Sequence, residues 1–143
     1  MTSDLLSTYP IQVQLTVAWG EMDAFNHVNN VVYFRYFETA RIAYFDQINY
    51  TKFMEKHGKG PILASTSCRF RKPLQYPDHL IIGARVSDLQ ADRFTMQYRI
   101  VSRQLNAIAA DGEGLVVSYD YTTQQKTSLP DDIRTAIIRL EGH

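Results

Sequence analysis

One stretch, Trp19 to Asp46, constrains this chain more than any other. Its first part, Trp-Gly-Glu-Met-Asp-Ala-Phe-Asn-His-Val-Asn-Asn, is polar, irregular and rich in turn formers. Its second part turns abruptly helical in period. Tyr33, Phe37, Ala40, Tyr44 and Ile48 recur at helical spacing and form one stripe, widened by Phe34, Phe45 and the stem of Arg41. Val31, Val32, Tyr36, Ile42 and Ala43 put apolar groups on most of the other faces. A surface helix has a polar half, and this one does not, so it is expected to be covered on most sides. Asn29 or Asn30 supplies the N-cap, because a short side-chain oxygen accepts from the first free helical amides. The rest of the chain has to wrap this helix.

Strand patterning fills most of what remains. Ile11, Val13, Leu15 and Val17 alternate with Gln12, Gln14 and Thr16 as in a half-buried strand, after a loose lead-in over residues 1–9. Beyond the long helix, Thr51 caps a short helix through Lys56, which Gly58 and Gly60 end. Strands are then expected over Ile62–Leu74, Leu80–Leu89, Phe94–Arg103 and Ala107–Tyr121, with a bulge at Asp111-Gly112 or Glu113-Gly114. The short connections at Gln90–Arg93 and Gln104–Asn106 predict antiparallel hairpins, and the four strands read as a meander. Ser128, Pro130 and Asp131 start a last helix running to about Leu140. The pattern is α+β: one antiparallel sheet around one long helix, in a single domain spanning residues 1–143, with its core over about 11–127.

Composition narrows the function. Lys and Arg number 15, as do Asp and Glu, so no net charge favours nucleic acid or an anionic membrane. Cys68 is the one cysteine, which excludes an internal disulfide and a cysteine-rich metal site; it reads as a small buried thiol. The N-terminal residues lack a secretory pattern and no apolar run is long enough to span a membrane, so a reducing cytoplasm is expected.

Read together, these residues resemble the 4-hydroxybenzoyl-CoA thioesterase-like branch of the hotdog-fold acyl-CoA thioesterases. The resemblance rests on Trp19-Gly-Glu-Met-Asp23, His27-Val-Asn-Asn30, Tyr33 and Phe37-Glu-Thr-Ala-Arg41. It continues through Arg69-Phe-Arg-Lys-Pro73, Phe94-Thr-Met-Gln-Tyr-Arg-Ile, Ala109-Ala-Asp-Gly-Glu-Gly and Asp120-Tyr-Thr-Thr-Gln-Gln-Lys126 with Pro130. It implies a hotdog fold: a sheet of five or six antiparallel strands curled around the long helix, plus the C-terminal helix. It also implies a homodimer or dimer of dimers, with acyl-CoA entering a tunnel between subunits, and no metal and no bound cofactor beyond the coenzyme A of the substrate.

Asp23 matches the family's catalytic carboxylate by its place in the loop. Thioester hydrolysis needs an oxygen nucleophile and a site for the oxyanion, and a carboxylate serves as general base on water or attacks the carbonyl itself. From the residues alone, Asp23 reads equally as a turn or helix cap. Glu21, two residues away, points the opposite way in an extended loop and is expected to be structural or solvated. The backbone amides of Asn30 and Val31, at the positive end of the helix, are the expected oxyanion donors. His27 either forms an acid–base pair with Asp23 or hydrogen-bonds to shape the loop, and no second histidine at ligand spacing supports a metal. Tyr33, Phe34 and Phe37 are expected to line the acyl pocket, and Ser65 or Thr66 to position water or carboxylate. Arg69, Arg71, Lys72, Arg93 and Arg103 are candidates to hold the phosphates of coenzyme A. Two rival functions remain: a hotdog hydratase or dehydratase, whose Pro- and Gly-rich His motif is missing here, and a non-catalytic module binding acyl-CoA or acyl-carrier protein.

Overall fold

The computed structural model describes residues 2–142; Met1 of the expected lead-in and His143 of the expected domain lie outside the described residues. The elements are α1 (Thr2–Leu5), β1 (Ile11–Thr16), α2 (Asn30–Gln47), α3 (Tyr50–His57), β2 (Lys59–Phe70), β3 (His79–Ser87), β4 (Arg93–Ser102), β5 (Ala107–Asp120), β6 (Gln125–Lys126) and α4 (Asp131–Glu141). All strands belong to one antiparallel sheet in the order β1-β3-β4-β5-β2, with β6 beside the end of β5. Curled around α2, this is the α+β hotdog arrangement expected from the sequence.

β3, β4 and β5 are successive hairpins, but the four strands are not a simple meander. β2 pairs with β5 at the far edge, not with β3. The reason is the connection over residues 71–78, which contains Pro73 and Pro77 and is too long and too poor in amide donors to close a hairpin. It runs instead across the end of the sheet. There its carbonyls receive Val28 N at Leu74 (2.8 Å) and Val17 N at Asp78 (3.0 Å), which fixes the polar loop ahead of α2 against β1.

The expected bulge is also elsewhere. The ladders slip between Leu63 and Ser65 on β2 and between Ile100 and Val101 on β4. Gly112 stands in the ladder for room rather than for a bulge: a Cβ there would lie 2.3 Å from Phe37 Cε2 and 2.9 Å from the Ser67 carbonyl oxygen. Short helix α3 is entered from Asn49, in a left-handed conformation (φ 60°), so Thr51 lies inside the helix and is not its cap.

The core lies between α2 and the concave face of the sheet. Tyr33, Phe37, Ala40 and Tyr44 bury against Leu80, Ile82, Ala84, Tyr98, Ile100 and Ala110. Each large side chain buried this way stabilises the fold by about 2 kcal/mol. The helix is not covered on most sides within one chain, however: Val31 is 67% and Ile42 49% exposed along its outer strip. The lead-in is not loose either. Leu6 and Tyr9 close over Ile81 and Val101 on the convex face of the sheet, and Gly83 makes room for them. α4 is tied down by Glu141, whose Oε2 accepts from Tyr44 Oη (2.6 Å) and from Val86 N (2.9 Å).

Candidate active site

The loop between β1 and α2 is a tightly wired turn. Trp19–Glu21 makes one 3-10 turn, and Glu21 Oε1 accepts from Ala18 N (2.7 Å) and from Tyr36 Oη (2.9 Å). Burial and the Glu21 carboxylate push the Tyr36 phenol well above its ordinary value. Glu21 is thereby committed to holding the loop on α2, the structural place expected for it. A single bridge from Met22 to Val28 then pinches off a small loop. Within it the backbone of Asn26 is left-handed (φ 61°), a conformation that asparagine tolerates.

Asp23 closes this loop with one of its two oxygens. Its Oδ1 accepts from Phe25 N (2.8 Å) and from His27 N (3.2 Å), and its own amide donates to the His27 carbonyl (2.7 Å). The two readings of Asp23 are therefore not exclusive. Oδ1 shapes the turn, while Oδ2 has no hydrogen-bond partner among the described residues. His27 contributes to the loop through its backbone.

At the helix start, Asn29 is the N-cap, and its side chain accepts from Val31 N at 3.0 Å. This corrects the expected pair of free amides: Val31 is spent on the cap. The Asn30 amide has no partner among the described residues. Asp23, His27, Asn30 and Tyr33 line one cavity of about 230 Å³ together with Phe70, Arg71 and Lys72. On its other side Asp23 borders a second cavity of about 530 Å³, with Trp19 and Tyr76 on its wall.

The aromatic candidates divide. Tyr33 is in the site: its hydroxyl accepts from Leu74 N (3.2 Å), its ring meets Phe70 edge-on at 4.9 Å, and burial raises its pKa. Phe37 is a core residue, 1% exposed and stacked on Tyr98 at 4.9 Å. Phe34 packs edge-on against Phe37 and lines neither cavity beside Asp23. Ser65 and Thr66 do not join Asp23 within this chain. They stand exposed at mid-strand on β2, where Thr66 Oγ1 donates to the Glu113 carbonyl (2.9 Å).

Of the basic candidates, Arg71 and Lys72 reach the Asp23 cavity. Arg71 also lines, with Arg69, a groove of about 430 Å³ on the convex face. Asp111 lies there between two guanidinium groups, Arg71 Nε at 2.6 Å and Arg99 Nε at 2.7 Å. Arg99 and Arg85 complete this basic groove and were not among the expected residues. Their signal was the polar register of the strands, on which Arg99 alternates with the core residues Tyr98 and Ile100. Arg93 is elsewhere: it pairs with Asp92 (2.8 Å) and sits beside Val117, about 27 Å along β5 from the carbonyl that holds Arg71. Arg103 lies in the turn between β4 and β5 and lines none of these cavities. Burial pushes the Cys68 thiol up to about 11, so it is a poor nucleophile. Among the described residues no three His, Cys, Asp or Glu side chains converge as metal ligands.

A carboxylate with one anchored oxygen, and one without a partner among the described residues, lines one cavity with Asn30, an arrangement suited to acyl transfer to water. The chain is 31% identical over 85 residues to the uncharacterised protein YsmA of Bacillus subtilis, a match covering 59% of this chain and 56% of that relative. It is 23% identical over 124 residues to the long-chain acyl-CoA thioesterase FadM of Escherichia coli, covering 87% of this chain and 94% of FadM. Among solved structures, a thioesterase of Thermus thermophilus complexed with coenzyme A and zinc superposes with a TM-score of 0.83. It is 29% identical, with 95% of this chain and 97% of that one covered. The profile of the Thioesterase-like superfamily matches residues 17–137, nearly the whole chain. The chain belongs to that superfamily, and is a thioester hydrolase of the hotdog fold.

Proposed function

We propose that the protein hydrolyses the thioester of an acyl-CoA to a free carboxylic acid and coenzyme A, with Asp23 as the reactive carboxylate. The observation that carries this reading is the division of labour at Asp23. Oδ1 is held by two backbone amides, which leaves Oδ2 without a partner among the described residues, and Asp23 and Asn30 line one cavity. Oδ2 either takes a proton from water as water adds to the carbonyl carbon, or adds to that carbon itself to give an anhydride that water then opens. In both routes the C–S bond breaks and the thiol leaves as coenzyme A. The oxyanion formed on the way is met by the Asn30 N–H at the positive end of α2, a donor worth about 3 kcal/mol of barrier. The route calls for no metal and no bound cofactor. Arg71 and Lys72 at the same cavity suit the phosphate-bearing end of the substrate.

The acyl end calls for a second copy of the chain. β2 is an edge strand, twelve residues long, with exposed Ile62, Leu63 and Phe70. Such an edge pairs readily with another strand. Antiparallel pairing of two β2 edges would bring the Phe70 end of one, next to Asp23, against the Pro61–Leu63 end of the other. The exposed strip of α2 with Val31 and Ile42 would be covered by the same event.

Thiol release from a panel of CoA thioesters tests the reading. Asp23→Asn is the informative variant, because an asparagine oxygen still accepts the two loop amides. Wild type should release thiol, and Asp23→Asn should lose roughly 10²–10⁴-fold in kcat with an unchanged melting temperature. Hydrolysis retained by Asp23→Asn would remove Asp23 from the chemistry.

A further inference from the structure

A cavity of about 330 Å³ opens between α2, α3 and the outer strands, walled by Ile42, Phe45, Met54, Leu63 and Val116. One cation stands in that apolar wall, Arg41. Its side chain is only 12% exposed. Nη1 donates to Tyr98 Oη at 3.1 Å, and Tyr98 is itself fully buried and stacked on Phe37, so this anchor is rigid. Nη2 lies 4.0 Å from Glu38 Oε2, beyond hydrogen-bond reach, and the Glu38 side chain is 65% exposed. A guanidinium carries five N–H donors in a planar fork. One phenol oxygen meets one of them, and the fork keeps further donors for a second acceptor. The cavity is mostly apolar, with Thr51 and Tyr121 also on its wall, and the nearest carboxylate to Arg41, Glu38, is exposed and makes no hydrogen bond to the fork.

Arg41 is eleven residues beyond Asn30 on α2, about 16 Å along the axis, so the cavity is remote from Asp23 of its own chain. It borders Leu63 instead, at the end of β2 that the antiparallel edge pairing proposed above would bring to the Asp23 of a second copy. It is then placed for the far end of the acyl group.

We propose that Arg41 selects acyl-CoA substrates whose acyl chain ends in a carboxylate, the distal carboxylate docking on the guanidinium fork while the methylene chain lies along Ile42, Met54 and Leu63. This rests on the acyl-CoA thioesterase reading above and specifies its substrate class. The geometry favours a charged terminus because a carboxylate offers two charge-assisted acceptor oxygens to a fork already anchored by Tyr98.

The test compares kcat/KM for chain-matched pairs: octanoyl-CoA with octanedioyl-CoA, and decanoyl-CoA with decanedioyl-CoA. Wild type is expected to prefer the carboxylate-ended member of a pair by roughly tenfold or more, the usual worth of a charge-assisted hydrogen bond. Arg41→Gln should abolish that preference while leaving the uncharged member within about threefold, and Arg41→Lys should restore part of it. A wild-type preference for the uncharged member, or no preference in either pair, overturns the proposal. So does an Arg41→Gln variant that slows both members equally, the mark of a purely structural arginine. Cleavage of other CoA thioesters but of neither member of these pairs overturns it too. If no CoA thioester is cleaved at all, the acyl-CoA reading falls, and this inference with it.

Discussion

Single residues in this protein often do two jobs with different atoms. Asp23 closes a turn with Oδ1 and leaves Oδ2 free, and Asn29 caps α2 by taking the Val31 amide. The cap decides which amide of the helix start is left unpartnered. Asn29→Ala should therefore lower stability by about 1 kcal/mol, visible as a lower denaturation midpoint, and should leave Val31 N without its acceptor. Asn29→Asp keeps an acceptor oxygen and should lose much less. The presence of a loop carboxylate ahead of a capped helix was legible in the sequence, because turn formers and cap residues act over a few positions. Which of its oxygens is engaged, and which amide is spent, was not, because two neighbouring asparagines are equally able to cap.

Elements carry a different kind of information. The aromatic stripe of α2 was plain from its period, yet its residues divide between the Asp23 cavity and the core. Tyr33 meets Phe70 beside Asp23, and Phe37, one turn on, is stacked between Tyr98 and Gly112. Period places both on the same face and cannot say what lies opposite each. Gly112 shows the same limit: its sequence context suggests a bulge, and its real role is to leave space for the Phe37 ring. Gly112→Ala should cost about 1–3 kcal/mol, because the new Cβ meets a ring and the Ser67 carbonyl oxygen at once. Combining it with Phe37→Leu should recover part of the loss. Equal melting temperatures for wild type and Gly112→Ala would refute this packing.

Across the whole molecule, buried phenols tie α2 to the loop before it, to the β2–β3 connection, to α4 and to β4, and they set its response to alkali. Burial raises the pKa of Tyr33, Tyr36, Tyr44 and Tyr98 above the ordinary value of 10.0, with the Glu21 and Glu141 carboxylates adding to the effect at Tyr36 and Tyr44. Each folded-state phenol holds its proton more tightly than the unfolded chain does. Their contribution is full below pH 10.0 and is lost as pH climbs above it, where the unfolded state releases protons that the folded state keeps. Chemical denaturation followed across this range should show stability falling by up to about 1.4 kcal/mol per pH unit for each such phenol. Tyr44→Phe should make the fall shallower by one proton's worth; an unchanged slope would contradict the assignment.

Some of this protein was determined by sequence alone: the long helix, the alternating strands, the loop carboxylate and the terminal helix. Each follows from periodicity, capping or turn chemistry within a short window. Only the tertiary structure decided that β2 crosses to β5. The same fold also carried Arg93 to the far end of the sheet from Arg71, gathered Arg85 and Arg99 into one groove with Arg71, and set Arg41 on Tyr98 in a mostly apolar wall. These are pairings across many tens of residues, set by how a twisted sheet closes around a helix, and no local spacing along the chain encodes them.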